Sequence, residues 1–268
     1  MFESTLPVDT ADLMRVSAFW RYLDETLPDP GASASSITAG STPSTLGTRL
    51  SSLNPSLLED LQRFDQGERR DGGLEPLEVI AAAVRHGRRL RLHLQHEGRV
   101  LPVTVFPAQR LVHCLLPQDQ LFTLPLDGLA VLHVEPAPIG LPGENGSPAT
   151  PEMARYFSAL GPLMWELALR GAREELLPEI AGNAAYRIAP GADLTALQIS
   201  GTLLSAVQRL QRETTNLREL STWPGFDRPR AMRLLNALYL QAALMVSRTH
   251  PAATNEGWTP PGSADPSR

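Results

Sequence analysis

At 268 residues the chain exceeds an ordinary single domain, so two domains are expected, each able to bury a core without covalent staples. Its single cysteine, Cys114, excludes an internal disulfide and any multi-cysteine metal site, and points to a reducing, cytoplasmic setting. The net charge of −5 is unevenly spread: residues 1–84 carry six arginines against thirteen acids, and residues 195–250 carry seven against three, a gradient that implies contact between the halves or an anionic partner for the rear.

All 24 basic residues are arginine, which, with abundant Ala, Leu and Pro, reads as the codon bias of a GC-rich bacterial genome rather than a choice of phosphate-binding forks. The longest apolar run, Ala237 to Val246, is interrupted by Gln241 and falls short of the ~20 residues of a membrane span. Acids precede the first arginine, unlike a secretory signal.

In chain order, residues 10–27 place Leu13, Val16, Trp20, Leu23 and Leu27 at helical spacing behind a Thr/Asp cap, so an amphipathic helix with an aromatic anchor is expected, packed on its own protein or, alternatively, docking elsewhere on a tether. Residues 28–52 are Ser, Thr, Gly and Pro with too little apolar surface to offset ordering, a linker that would leave the first helix mobile. A second helix is expected from Asn54 to Phe64, and a third from Glu75 to His86 with Leu77, Ile80 and Val84 on one stripe. The period then switches to two. Leu90, Leu92 and Leu94 alternate with Arg91, His93 and Gln95, Glu97-Gly98 forms a turn, and strands follow at 103–106, 111–116 and 129–134.

A helix ending in a glycine turn, a hairpin and then the run Gln109-Arg110-Leu111-Val112-His113-Cys114 resembles the start of the bacterial PATAN-type signalling domain. In that family glycine is favoured where this chain has Gln109 or Arg110, and alanine where it has Cys114. The segment after Cys114 departs from the family's helices.

Residues 136–151, rich in Pro and Gly, are the expected domain boundary, and Pro151 to Leu177 is expected to be helical, broken or kinked at Gly161-Pro162. Tyr186 to Ile188 reads as extended, and Ala192 to Leu210 as a helix or a strand and a helix. From Thr215 to His250 the order is short helix, Pro-Gly turn, long helix and extended exit, that of a helix-turn-helix with a wing. The long helix, 228–243, has Asp227 as N-cap and Pro229 in its first turn. At 100° per residue, Ala231, Met232, Leu234, Leu235, Leu238, Tyr239 and Ala242 form the core face. Arg230, Arg233, Asn236, Ala237, Leu240 and Gln241 form the opposite, solvent-facing arc. Two arginines and an asparagine suit a DNA major groove, with Arg209, Arg212, Arg218 and Arg248 towards phosphates, whereas Ala237 and Leu240 suit contact with another protein or domain. This segment also resembles the C-terminal winged-helix-like unit of PATAN-type proteins, through Leu217-Arg218-Glu219-Leu220 and a helix whose end has Ala243 where glycine is usual. The resemblance implies a regulatory adaptor without enzymatic activity.

No catalytic constellation emerges. His93 and His96 lie on opposite strand faces, as do His113 and Cys114, and no metal-binding or phosphate-cradling motif occurs. Consecutive acids such as Glu174-Glu175 splay as solvated charge. The expectation is therefore an α+β protein without cofactor or metal: an amphipathic helix (1–27), a linker (28–52), a helix plus antiparallel sheet domain (53–135), a linker (136–151), a helical domain ending in a winged-helix-like unit (152–250) and a disordered tail (251–268). It would bind another bacterial protein, or alternatively DNA, through Arg230, Arg233, Asn236 and Leu240, without membrane insertion.

Overall fold

A computed structural model describes residues 13–26, 74–137, 141 and 155–253. The expected linker 28–52 and the expected helix at 54–64 lie outside the described residues, as does nearly all of the Pro/Gly segment and of the tail. The chain divides into two compact units, Met1–Leu160 and Gly161–Arg268.

Unit 1 contains α1 (Val16–Thr26), α2 (Pro76–His86), β1 (Leu90–His96), β2 (Arg99–Phe106), β3 (Leu111–Cys114), a single turn α3 (Gln118–Leu121), β4 (Ala130–Pro136) and β5 (Phe157–Ala159). Its five strands pair antiparallel throughout, in the order β4-β1-β2-β3-β5. Burial alternates residue by residue along β1, because successive side chains leave opposite sides of a pleated strand. Leu90, Leu92 and Leu94 join Leu101, Val103, Val105, Val112 and Cys114 on the inner face, all buried, and α2 packs against β1. Helix α2 is buried from Pro76 to Ala83, more than the one stripe expected. Gly87 ends it in the left-handed conformation, where Arg88 and Gly87 donate back to Ala83 and Val84, the bond pair that satisfies a helix's last carbonyls.

Two features of unit 1 differ from the sequence expectation. The anchor of α1 is Phe19, 2% exposed, while Trp20 is half-buried. Burying a phenylalanine stabilises by about 2–3 kcal/mol. The helix is docked on the sheet, through Phe19, Val16 and Trp20 against Val100 and Leu132 and through backbone bonds from Val16 to Gly98 and from Val100 to Met14. The second difference is β5. Residues 157–159, expected to be helical, add a fifth strand to the first sheet, so the units divide at Leu160/Gly161 and not within 136–151. Three residues are too few for either period to declare itself.

Elements of unit 2 are α4 (Leu160–Arg170), β6 (Ala185–Ile188), α5 (Gly201–Arg212), β7 (Thr215–Asn216), α6 (Leu217–Leu220), α7 (Arg228–Leu240) and β8 (Leu244–Ser247). A three-stranded antiparallel sheet runs β7-β6-β8. The central strand thus comes from upstream of α5, and β8 pairs back to it. Tyr186 on β6 is fully buried and donates to the Ile180 carbonyl at 2.7 Å; burial pushes its phenol up to about 12. Helix α7 is one unbroken helix that starts where expected, with the Asp227 carboxylate accepting from the Arg230 N–H at 2.8 Å and Pro229 in the first turn. It stops three residues early, at Leu240. Ala242 takes φ +57, its N–H donates to Tyr239 and that of Ala243 to Leu238. Among the described residues no helix is long and apolar enough to cross a membrane.

A left-handed alanine costs about 1–2 kcal/mol relative to a conformation it prefers. Ala242→Gly is therefore expected to raise stability by about 0.5–1 kcal/mol, read as a higher urea midpoint with an unchanged slope.

Candidate functional site

The surface expected to do the binding was the arc of α7 holding Arg230, Arg233, Asn236 and Leu240. Asn236 is 0% exposed and Leu240 5%. The Asn236 carboxamide oxygen accepts from the Leu177 N–H at 2.8 Å, and its NH₂ donates to the Glu175 carbonyl at 2.7 Å. Arg233, half-buried, reaches the carbonyls of Arg173 (3.3 Å) and Leu169 (3.4 Å) and pairs with Glu174 at 3.5 Å. Gln241 donates to the Gly161 carbonyl at 2.9 Å. These contacts run from Gly161 opposite the end of α7 to Leu169 opposite its middle, so α4 lies antiparallel along this arc. The expectation of a solvent-facing surface is corrected: residues 161–177 cover it.

The physical reason lies in the composition of the helix. Ala231, Leu234, Leu235, Ala237, Leu238 and Leu240 are all buried, and a helix apolar on every side belongs inside its own protein. Arg233 thus serves the Leu169 carbonyl in the last turn of α4 and the Arg173 carbonyl just beyond it. Only Arg230 of the four is exposed, and its guanidinium is engaged too, donating to the Gly225 carbonyl at 2.7 Å and to the Thr202 hydroxyl at 2.8 Å, 5.2 Å above the Phe226 ring. Arg248 likewise forks onto the carbonyls of Ala181 (2.8 Å) and Glu179 (3.2 Å).

A groove of about 320 Å³ opens between Arg209, Glu213, Thr214, Thr215, Glu219, Thr222, Trp223 and Pro224. The guanidinium of Arg209 lies 4.2 Å over the Trp223 ring and pairs with Glu213, and Thr215 donates to the Glu219 carboxylate at 2.8 Å. Its charges thus engage each other.

A surface that the sequence reading left aside is the outer edge of β8. The bond from Ala189 N–H to Ala243 C=O sets the alternation of the antiparallel ladder. Met245 and Ser247 consequently bond inward to β6, while the backbone groups of Leu244 and Val246 point to the open edge. Among the described residues no strand pairs there. Met245 is 51% exposed, and none of the four β8 residues carries a charge.

Also unforeseen is a polar cluster on the outer face of the unit 1 sheet. The register places Arg91 beside Glu135 and His93 beside His133. His93 Nε2 lies 3.1 Å from Glu135 Oε1, Arg91 3.7 Å from the same oxygen, and the two imidazoles 5.7 Å apart. Burial holds His93 below the ordinary histidine range, against the opposing pull of Glu135. His113, on the same face, is lowered by burial and then by Arg91. Arg-x-His in one strand and His-x-Glu in another were the available signals; the pairing partner was not. Among the described residues no group of three or more His, Cys, Asp or Glu side chains is placed to hold a metal ion. Cys114 is buried, and burial raises its thiol to about 11, so it is packing rather than a nucleophile.

No protein-family model, no curated protein and no solved structure matches this chain.

If Asn236 is structural, removing its amide orphans a buried N–H and a partly buried C=O. Asn236→Ala is expected to cost about 2–4 kcal/mol, read by urea unfolding. A change below about 0.5 kcal/mol, the size of a surface substitution, would contradict the assignment.

Proposed function

We propose that this chain is a non-enzymatic bacterial regulatory adaptor that binds another protein by strand addition, with β8 as the receiving edge. The observation that carries the reading is the uncharged, one-sided strand at Leu244–Ser247 with Met245 exposed beside it. Proteins ordinarily blunt such edges with charge, proline or a covering element, and an edge left bare is the receptor half of β-augmentation.

The PATAN-type reading of unit 1 draws support from one backbone angle. Arg110 has φ +56, a conformation that favours glycine, and it occupies one of the two positions where that family favours glycine. For unit 2 a winged-helix-like reading is supported by the order α5, β7, α6, α7, β8. Its sheet is completed by β6 from upstream instead of by a hairpin after α7, so the unit proposed is a winged-helix relative without a hairpin wing. The left-handed position at the end of α7 is Ala242, one residue before the alanine that the resemblance aligned with glycine.

Less supports the alternative partner, DNA. A groove-reading helix presents free Arg and Asn side chains to base edges, and here Asn236 is enclosed while Arg230 and Arg233 are engaged with the chain's own carbonyls.

The test is affinity capture from a bacterial lysate with mass-spectrometric identification, followed by binding of the purified partner to two variants. Met245→Lys places a charge on the edge, and Val246→Pro removes an outward N–H without breaking a bond to β6. Both are expected to weaken binding at least about tenfold, the equivalent of 1.4 kcal/mol. Partner binding that survives both variants would overturn β8 as the edge. Binding of DNA in place of protein, falling steeply with salt, would overturn the function itself.

A further inference from the structure

We infer that, when no other protein is bound, the β8 edge is taken by β8 of a second copy of this chain, the two strands pairing antiparallel about a two-fold axis at Met245. This pairing rests on the reading of β8 as a receiving edge and names the strand that competes for it.

Direction is the first support. Two identical edges related by a two-fold axis normal to their sheet run antiparallel, so the antiparallel ladder of β6 and β8 continues unchanged across the join. The chain on both sides of β8 is described, from α7 to Ala253.

Register is the second. The outward backbone groups of β8 belong to Leu244 and Val246, and a ladder closes only where such outward positions stand opposite each other. With the axis at Met245, Leu244 of each copy exchanges both bonds with Val246 of the other, and the strand uses no residue beyond its own limits. An axis at Leu244 would need ladder bonds from Ala242, which has φ +57, and an axis at Val246 would need them from Arg248; both lie outside Leu244–Ser247.

The side chains agree with that register. Met245 meets Met245 of the second copy as a non-hydrogen-bonded pair, with Cα atoms about 4.5 Å apart, the closer of the two pair types. Each Met245 is 51% exposed in the single chain, and a flexible thioether fills such a contact without strict shape. On the other face, half-buried Leu244 stands opposite half-buried Val246 of the second copy. Charge is the ordinary device against edge-to-edge pairing, and β8 carries none. The first charge beyond it, Arg248, falls opposite Ala242 of the second copy and is tied to the Ala181 and Glu179 carbonyls of its own chain. An edge of four residues buries little area, so the dimer is weak and yields to a strand that offers more contacts.

The experiment is sedimentation equilibrium of the full chain from about 10 µM to about 1 mM, joined to thiol trapping. The unaltered chain is expected to pass from monomer towards dimer over this range, and Met245→Lys and Val246→Pro are each expected to weaken association at least about tenfold. Under mild oxidation by diamide, Met245→Cys is expected to give a disulfide-linked dimer, because the two thiols face each other across the axis. Ser247→Cys is not, since the matching positions stand roughly 13 Å apart along the strands, beyond the reach of a disulfide. Cys114 is buried, and the unaltered chain serves as the blank. A chain that stays monomeric throughout, a dimer that persists in both edge variants, or Ser247→Cys linking as fast as Met245→Cys would overturn the pairing. If the chain is monomeric and a captured protein is lost from both edge variants, the pairing falls and the strand-addition reading stands. If dimerisation is lost from both and the captured protein is not, the pairing stands and that reading falls.

Discussion

The side-chain amide of Asn236 holds unit 2 in its observed form. It supplies both a donor and an acceptor to a segment, residues 175–177, that has no regular structure to satisfy its own backbone. Buried backbone groups need partners, and an asparagine is one of few side chains able to serve an N–H and a C=O at once. With that segment fixed, Leu176 and Leu177 are buried, the C-terminal end of α4 comes within reach of Arg233, and α7 is enclosed along the arc that its sequence offers to solvent.

The same logic applies to several arginines of unit 2. Arg173, Arg187, Arg230, Arg233 and Arg248 all donate to backbone carbonyls of loops or helix ends. A planar guanidinium with five donors suits this work better than a lysine ammonium. Three of the seven arginines in residues 195–250, Arg230, Arg233 and Arg248, thus satisfy irregular connections.

Much of the architecture was readable in the residues. The limits of α2, the period-two run of β1, the Glu97-Gly98 turn, the separation of His113 from Cys114 onto opposite faces, and the Asp227 cap with Pro229 behind it are local signals, set by steric and hydrogen-bonding preferences within a few residues. Non-local information was not readable. The burial of Asn236 depends on a partner about sixty residues away in sequence, and the His93/His133 pairing depends on a register shift between His93 and Leu94. Strand β5 is defined by β3 and by little in its own three residues. Leu240 and Ala237 did carry the hint: apolar residues on the polar side of α7 suit contact with another protein or domain, and here they are buried within the chain's own unit 2.

The central claim, that α7 is enclosed and that the working surface lies elsewhere, is tested most directly by amide exchange at Leu177, whose N–H points at Asn236. Residue-resolved NMR exchange at neutral pH is predicted to place Leu177 with the slowest amides of unit 2, alongside those in the middle of α7. Exchange at Leu177 near the rate of an unstructured peptide would mean that Asn236 is open to solvent. The face of Arg233 and Asn236 would then return as the candidate binding surface.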